Sequence, residues 1–203
     1  MHRSIIALHL HAGDPMLPPQ NPFKQINVPS DGSCLLWSVA MNILILAYPD
    51  ETKFKVAWIH LFGEDNIEVR QNVLRELANY NGDPQQLSPD QPLGKLLYPF
   101  IGKLRQRMIN HMAEHKDDFN NLPDNESLSQ HLEKLAEHST WCDEPEIKAL
   151  SDLLNLPIHV FATEGGKHKY VGVYNKNGKN KGITVVFTPA VKIPRVGNNH
   201  YHY

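Results

Sequence analysis

The chain has 203 residues, is 41% hydrophobic and 21% charged, and carries a formal net charge of −2. It is long enough to bury a core, and the absence of a basic block in the sequence sets aside a nucleic-acid-binding protein. The longest apolar run, residues 39–48, is too short to cross a bilayer, so we expect no membrane-spanning segment. Two cysteines, Cys34 and Cys142, cannot build a disulfide scaffold and favour a reducing compartment, so we expect a cytoplasmic protein.

The beginning of the chain is rich in proline. Each proline in residues 1–29 restricts the backbone and removes a hydrogen-bond donor, so we predict an extended N-terminal arm over this segment. A run of turn-forming residues then leads into a domain that we expect to span residues 30–203. The largely apolar segment from Cys34 to Tyr48 is longer than a normal strand and predicts a buried helix.

Four further helices are predicted from their caps and from the spacing of their apolar residues. A pattern like a capping box over residues 65–68 opens the first of them. In the second, residues 93–112, apolar residues recur at steps of three and four, and Pro99 predicts a break or kink. Two more capping boxes open the remaining helices, one at Ser127 and one at Asp143.

After residue 157 the pattern changes to alternation with a period of two. This predicts strands over residues 158–162, 170–174 and 183–188, with a hairpin turn at residues 175–178, and a further strand over residues 199–203. Helices followed by an antiparallel sheet predict an α+β fold. The helices of about residues 74–138 form a candidate helical lobe, although ordinary core helices explain them equally well.

Cys34 is the first candidate for chemistry. It follows a turn that contains Gly32 and begins a helix, where unpaired N–H groups and the positive end of the helix dipole favour a thiolate. The same N–H groups can stabilise an oxyanion, and Gly32 lets the backbone approach a substrate closely. A base is also needed, and His200 is our candidate although it lies far downstream. The alternative is a buried cysteine that only packs.

Two motifs resemble those of the ovarian-tumour (OTU) cysteine proteases. The cysteine box is Asp31-Gly32-Ser33-Cys34-Leu35-Leu36-Trp37-Ser38-Val39. The histidine box is Asn199-His200-Tyr201. Weaker landmarks lie between them in the family's order, at residues 68–70, 141–150 and 157–160. The resemblance implies a papain-like fold with a small, mostly antiparallel sheet flanked by helices.

The resemblance also implies a deubiquitinase, a thiol isopeptidase that needs no cofactor and no metal. Cys34 would attack the carbonyl of ubiquitin's C-terminal glycine to give a thioester, and His200 would move the protons. Asp31 matches an acidic position that the family assigns to its active site, although capping the helix explains it equally well. Ubiquitin or polyubiquitin is the expected partner of a monomer, and a bacterial effector acting in the host cytosol is the expected origin.

Other residues are expected to bind ubiquitin. They are Gly32, Ser33, Leu35, Asn199, Trp141, Asp143 and Glu144. The acidic pair Asp143 and Glu144 suits the arginines of ubiquitin's tail, and their place in the first turn of a helix offers a capping explanation as well.

The group that orients His200 is open. Two residues past the histidine the family usually has Asn or Asp, and here that position is His202. The neutral imidazole of His202 can accept a hydrogen bond but offers no negative charge. Asp31, Asn198 and Asn199 are alternatives, and a ubiquitin-binding module without turnover is a further reading.

Two rival sites are weaker. Cys142 also precedes a helix start, but it lacks the glycine-containing turn. His111 and His115 have a helical spacing that can chelate zinc, and His200 with His202 could add ligands from a strand. No cysteine pair or clear third ligand accompanies these histidines, so solvated side chains are the better interpretation.

Overall fold

The computed structural model describes residues 3–8, 24–120, 122, 126–164, 166–175, 177 and 182–188. Six α-helices lie in these ranges: α1 Cys34–Ala47, α2 Glu51–Phe62, α3 Ile67–Leu77, α4 Pro92–Glu114, α5 Leu128–Leu135 and α6 Glu144–Leu153. Five strands accompany them: β1 Arg3–Leu8, β2 Lys24–Asn27, β3 Ile158–Glu164, β4 Lys167–Tyr174 and β5 Ile183–Thr188. None of the helices in the described part of the chain is long and apolar enough to span a membrane.

The sheet is mixed but mostly antiparallel, and helices pack against it. Its strand order is β2-β1-β5-β3-β4. The pairs β1/β2, β1/β5 and β3/β4 are antiparallel, and β3/β5 is parallel. The predicted α+β fold with a small, mostly antiparallel sheet flanked by helices is therefore confirmed.

The predicted hairpin between β4 and β5 is wrong. β4 pairs with β3, whereas β5 passes to the other side of β3 and lies between β3 and β1. The burial of β5 fits this order, because Ile183, Thr184, Val185 and Val186 are all buried, as is typical of a central strand that is covered on both faces. β4 exposes several side chains, including Val171, and suits the edge of the sheet.

β1 and β2 lie in the segment for which we predict an extended arm. β1 occupies an inner position of the sheet, and β2 pairs with it at the edge. The buried side chain of Ile26 ties β2 to the main core. The arm boundary at residue 29 stays a prediction, as does the strand over residues 199–203, which lies outside the described residues.

α1 is the central helix and is buried on nearly every side. Leu36, Trp37, Val39 and Met41 are all fully inaccessible to solvent. The helix packs on β1 and β5 and against α2 and α4. The burial of each such side chain stabilises the fold by about 1.5–3 kcal/mol, which explains why the apolar run is continuous rather than one-sided. The predicted buried helix is confirmed.

The predicted capping boxes at Ser127 and Asp143 are both confirmed, and they open α5 and α6. The capping box predicted over residues 65–68 is wrong: Asn66, not Asp65, is the N-cap of α3, and its side chain accepts the N–H of Val69. α2 is absent from our prediction, although Asp50 caps its start and Gly63, with φ 77°, ends it.

α4 continues through Pro99, so the predicted break is wrong. Leu97, Ile101, Leu104 and Met108 are buried on its inner face and contribute more than the cost of one interior proline, about 3 kcal/mol. α4 packs against α1, α2, α3 and α6 and shares their apolar core. A helical lobe over about residues 74–138 stays a prediction.

Candidate active site

Cys34 is the first residue of α1, and it is buried with only 2% of its surface exposed. The preceding residue, Ser33, is the N-cap, but its hydroxyl makes no capping hydrogen bond. That hydroxyl instead accepts a hydrogen bond from Arg105, at 3.1 Å. The sulfur therefore lies at a helix start that has no side-chain cap from its own N-cap residue.

The turn before Cys34 is held together by Asp31. The Ser33 N–H donates to the Asp31 carboxylate at 2.9 Å, and the Cys34 N–H donates to the Asp31 carbonyl at 3.2 Å. Two of the N–H groups that we expect to serve an oxyanion are thus engaged within the turn. Helix geometry leaves the N–H groups of Leu35 and Leu36 as the next candidates, because they have no intrahelical acceptor.

Burial raises the pKa of the Asp31 carboxyl above its usual range. The Ser33 N–H, the indole of Trp37 and the positive charge of Arg105 act in the opposite direction and favour the carboxylate. Asp31 therefore has a structural role in this turn. Its catalytic role stays a prediction.

Gly32 makes a close contact within the protein itself. A Cβ at this position would lie 2.3 Å from the carbonyl carbon of Ser139 and 2.5 Å from the carbonyl oxygen of His138. Only glycine fits this approach of two backbone segments. We expect the lack of a side chain at Gly32 to let a substrate approach the backbone. In the structure it allows the cysteine turn to pack on residues 138–139.

Arg105 is the residue of this site that is absent from our sequence prediction. It lies on α4, is 2% exposed, and donates to the carbonyl of Gly32 at 2.8 Å. It also donates to the carbonyl of Leu135, the last residue of α5, and to the carbonyls of His138 and Thr140 in the segment that follows. The signal was present in the sequence, because a charged residue three or four positions from the apolar Ile101 and Met108 lies on the core face of a helix.

Cys142 is the other described cysteine, and its surroundings disfavour a thiolate. It is buried, and burial raises the pKa of its thiol far above the usual range. The negative charge of Glu146 raises that pKa further, against a smaller lowering by Arg105. A neutral thiol is a poor nucleophile, so Cys142 fits a packing role.

The residues predicted to bind ubiquitin differ in accessibility. Trp141 is 41% exposed, and both Asp143 and Glu144 are exposed at the start of α6. Ser33 and Leu35 are buried, so their side chains are not accessible for a contact with ubiquitin. The Asp143 carboxylate accepts the Glu144 N–H at 2.9 Å, which bears out the predicted capping geometry.

His200, Asn199 and His202 lie outside the described residues, so the pairing of Cys34 with His200 stays a prediction. Asn198, the other alternative for orienting the imidazole, lies outside them as well.

The rings of His111 and His115 have their centroids 4.2 Å apart on α4. Among the described residues, no group of three histidine, cysteine or acidic side chains is arranged to hold a metal ion.

A model of the OTU-like cysteine protease family matches residues 90–201, which is more than half of the chain. The matched range contains α4 with Arg105, Trp141 and the histidine box, and it begins after Cys34. No curated protein is significantly similar to the chain. The extent of the family match shows that this chain belongs to the OTU-like cysteine proteases.

Proposed function

We propose that the protein is a deubiquitinase that hydrolyses the isopeptide bond after the C-terminal glycine of ubiquitin, with Cys34 as its nucleophile. One observation carries the proposal: in a chain of a cysteine protease family, Cys34 begins a helix directly behind the Asp31-Gly32-Ser33 turn. The state of Cys142 supports the same assignment, because burial and a nearby carboxylate keep its thiol neutral.

The proposed reaction has two stages. His200 accepts the thiol proton while the Cys34 sulfur bonds to the glycine carbonyl carbon, and the carbonyl oxygen becomes an oxyanion. The N–H groups of Leu35 and Leu36, at the start of α1, stabilise that oxyanion. His200 then gives the proton to the lysine nitrogen as the C–N bond breaks, which leaves a thioester on Cys34.

Water completes the cycle. His200 takes a proton from a water molecule, whose oxygen attacks the thioester carbonyl carbon and releases the carboxylate of ubiquitin. The proton returns to the sulfur of Cys34, and the enzyme is regenerated. Asp31, Asn198, Asn199 or His202 orients the imidazole during both stages.

The start of α6 supplies the proposed contacts to ubiquitin's tail. Asp143 and Glu144 are exposed carboxylates, which suit the arginines of that tail, and Trp141 offers an exposed aromatic face beside them. Asn199 contributes from the histidine box, and Gly32, Ser33 and Leu35 contribute through their backbone. We propose a monomer that acts in the cytosol, in the host cytosol if the protein is a bacterial effector.

A second candidate function is a ubiquitin-binding module of the same fold without turnover. One sequence feature favours it, because His202 stands where the family usually has Asn or Asp. Without a carboxylate or amide to orient His200, the imidazole would activate the thiol poorly.

Capture by a ubiquitin probe with a C-terminal electrophile tests the proposal. We expect the protein to gain the mass of one ubiquitin, Cys34→Ala to remain unmodified, and the matched variant Cys142→Ala to react like the original chain. Capture of Cys34→Ala would contradict the assignment of the nucleophile. Binding of ubiquitin without any capture would favour the module, and absence of both would overturn the proposed function.

A further inference from the structure

Arg105 carries a buried charge that has no ion-pair partner in the described part of the chain. The burial of an ionised group is costly unless other groups compensate for its lost hydration. Here the compensation comes from the carbonyl oxygens of Gly32, Leu135, His138 and Thr140. A buried charge that is bound by backbone carbonyls from distant parts of the chain can fix the positions of those segments relative to one another.

The guanidinium joins two segments that are distant in sequence. On one side it contacts the turn before Cys34, through the Gly32 carbonyl at 2.8 Å and the Ser33 hydroxyl at 3.1 Å. On the other side it contacts the end of α5 through the Leu135 carbonyl at 3.0 Å, and the segment between α5 and α6 through the Thr140 carbonyl at 3.2 Å. The planar, forked guanidinium can serve both segments at once, which a lysine ammonium cannot do in the same geometry.

A second contact joins the same two segments independently. Gly32 packs directly against the backbone of residues 138 and 139, with no space for a Cβ. Arg105 donates to the carbonyls of Gly32 and His138 across this junction. The position of the Cys34 turn is therefore set by a rigid contact to the segment after α5.

The charge of Arg105 also acts on the groups around Cys34. Burial raises the pKa of the Asp31 carboxyl and of the Cys142 thiol, and the positive charge of Arg105 lowers both. Asp31 precedes Cys34 by three residues. Arg105 contacts Gly32 and Ser33, the two residues between them. A cation in this position favours a thiolate, because an opposite charge stabilises the ionised form.

We propose that Arg105 is a positioning residue for Cys34, which holds the Asp31-Gly32-Ser33 turn against the segment after α5 and supplies positive charge to the thiolate. The inference rests on the proposed function and deepens it. Arg105 does not touch the substrate, and it acts through the turn and through its electric field. Its loss should therefore lower kcat and shift the ionisation of Cys34 while leaving substrate binding nearly intact.

The test compares Arg105→Met and Arg105→Lys with the matched control Arg107→Met. Arg107 is also a partly buried arginine of α4, and it donates to the carbonyls of His60 and Leu61 at the end of α2. All variants carry Cys142→Ala, so that iodoacetamide reports on Cys34 alone. The pH dependence of alkylation, the thermal midpoint, and kcat and KM on ubiquitin with a fluorogenic C-terminal amide are measured for each variant.

We expect Arg105→Met to raise the midpoint of the alkylation profile by about one pH unit, because a cation that contacts the turn directly before Cys34 is lost. It should lower kcat about tenfold to a hundredfold with KM changed less than about threefold, because the turn is misplaced. Arg107→Met should leave the alkylation midpoint and kcat unchanged. An equal shift in both methionine variants, or none in Arg105→Met, would overturn the inference.

Arg105→Lys decides the question if Arg105→Met does not fold. This variant retains the positive charge but lacks the planar guanidinium and its several N–H donors. The alkylation midpoint should therefore stay within about 0.3 pH unit of that of the original chain, while kcat falls. An unchanged kcat in Arg105→Lys would overturn the positioning role. The alkylation profile requires no ubiquitin. If the original chain fails to cleave the ubiquitin substrate, the proposed function is overturned, and the alkylation profiles of the variants still decide whether Arg105 acts on Cys34.

Discussion

The two cysteines lie at two helix starts whose surroundings differ in charge. Cys142 lies beside the start of α6, where Asp143 and Glu146 form a capping box. Cys34 begins α1, whose N-cap residue Ser33 makes no capping hydrogen bond and instead contacts the buried guanidinium of Arg105. The Cys142 thiol therefore lies near carboxylates, whereas the Cys34 thiol follows a turn that the Arg105 guanidinium holds.

The two helix starts differ in whether a side chain caps them. The start of α6 is capped, and the start of α1, where we propose the reaction, has no side-chain cap from its N-cap residue. The carboxylates at α6 satisfy N–H groups at the helix start and stabilise the helix, and they add to the raised pKa of Cys142, which is caused mainly by burial. At α1 the N–H groups of Ser33 and Cys34 are engaged by Asp31, and we propose that the helix dipole and the N–H groups of Leu35 and Leu36 stabilise the oxyanion. The stability lost there is provided by the burial of Leu36, Trp37 and their neighbours.

The largest expected effect comes from the contact beneath Cys34. Gly32→Ala would place a Cβ 2.3 Å from the backbone of Ser139, so the two segments must separate. We expect it to lower the free energy of unfolding by about 1–3 kcal/mol, the usual cost of overpacking. Capture by the ubiquitin probe should slow at least about tenfold, because the cysteine turn moves.

Gly172→Ala is the matched control for Gly32→Ala, because a Cβ at Gly172 meets nothing within 4 Å. It should leave both the free energy of unfolding and the rate of capture nearly unchanged. Equal effects of the two alanines in urea titrations would contradict the role given to the contact with Ser139.

An intermediate effect concerns His131 and the two carboxylates that contact it. Glu146 and Glu126 flank His131, at 2.7 Å and 3.1 Å from its ring nitrogens. The hydrogen bond to Glu146 is the main cause that raises the pKa of His131 above its usual range. A raised folded-state pKa gives stability that is fully present below the ordinary pKa of about 6.5 and is lost as the pH rises through the folded-state value.

His131→Gln tests this dependence. We expect it to lower the free energy of unfolding by about 1 kcal/mol or more at pH 6, and by less at pH 9, because the charged imidazolium is gained only at low pH. Burial lowers the pKa of His111, so His111→Gln should show the opposite trend with pH. Urea titrations at the two pH values measure both, and a larger loss for His131→Gln at pH 9 would contradict the prediction.

The smallest effect separates the two explanations for the acidic residues at α6. Asp143→Ala removes the N-cap and should lower the free energy of unfolding by about 1 kcal/mol. Glu144→Gln keeps that cap and should leave stability unchanged. If both carboxylates meet ubiquitin's tail, each variant should raise KM about threefold, since exposed charge pairs contribute little each. A normal KM in both variants would leave only the capping role.

The elements that sequence patterns predict well are those whose signals are local. The long apolar run predicts α1, and the capping boxes at Ser127 and Asp143 predict the starts of α5 and α6. A cap or a helical period is decided by residues within a few positions of one another, so it can be recognised without knowledge of the rest of the chain. α2 has local signals of the same kind, since Asp50 and Gly63 mark its ends, although it is absent from our prediction.

The pairing of strands and the packing around Cys34 are decided by distant parts of the chain. The turn formers after β4 predict a hairpin, but β5 pairs in parallel with β3 because the buried centre of the sheet favours it. Pro99 predicts a break or kink, but α4 continues through it because the packing of α4 against its neighbouring helices outweighs the cost of the proline. Such outcomes depend on competition between alternative contacts, which no local pattern contains.

By itself, the sequence determined the candidate nucleophile, because a glycine-containing turn followed by a buried helix places Cys34 at a helix start. Only the tertiary structure brought Arg105 to the carbonyl of Gly32, 73 residues away, and placed the Ser139 backbone against that same glycine. The physical reason is that a helix start is a property of a few adjacent residues. The electrostatic field and the steric limits at its first residue come from the side chains and backbone that fold around it.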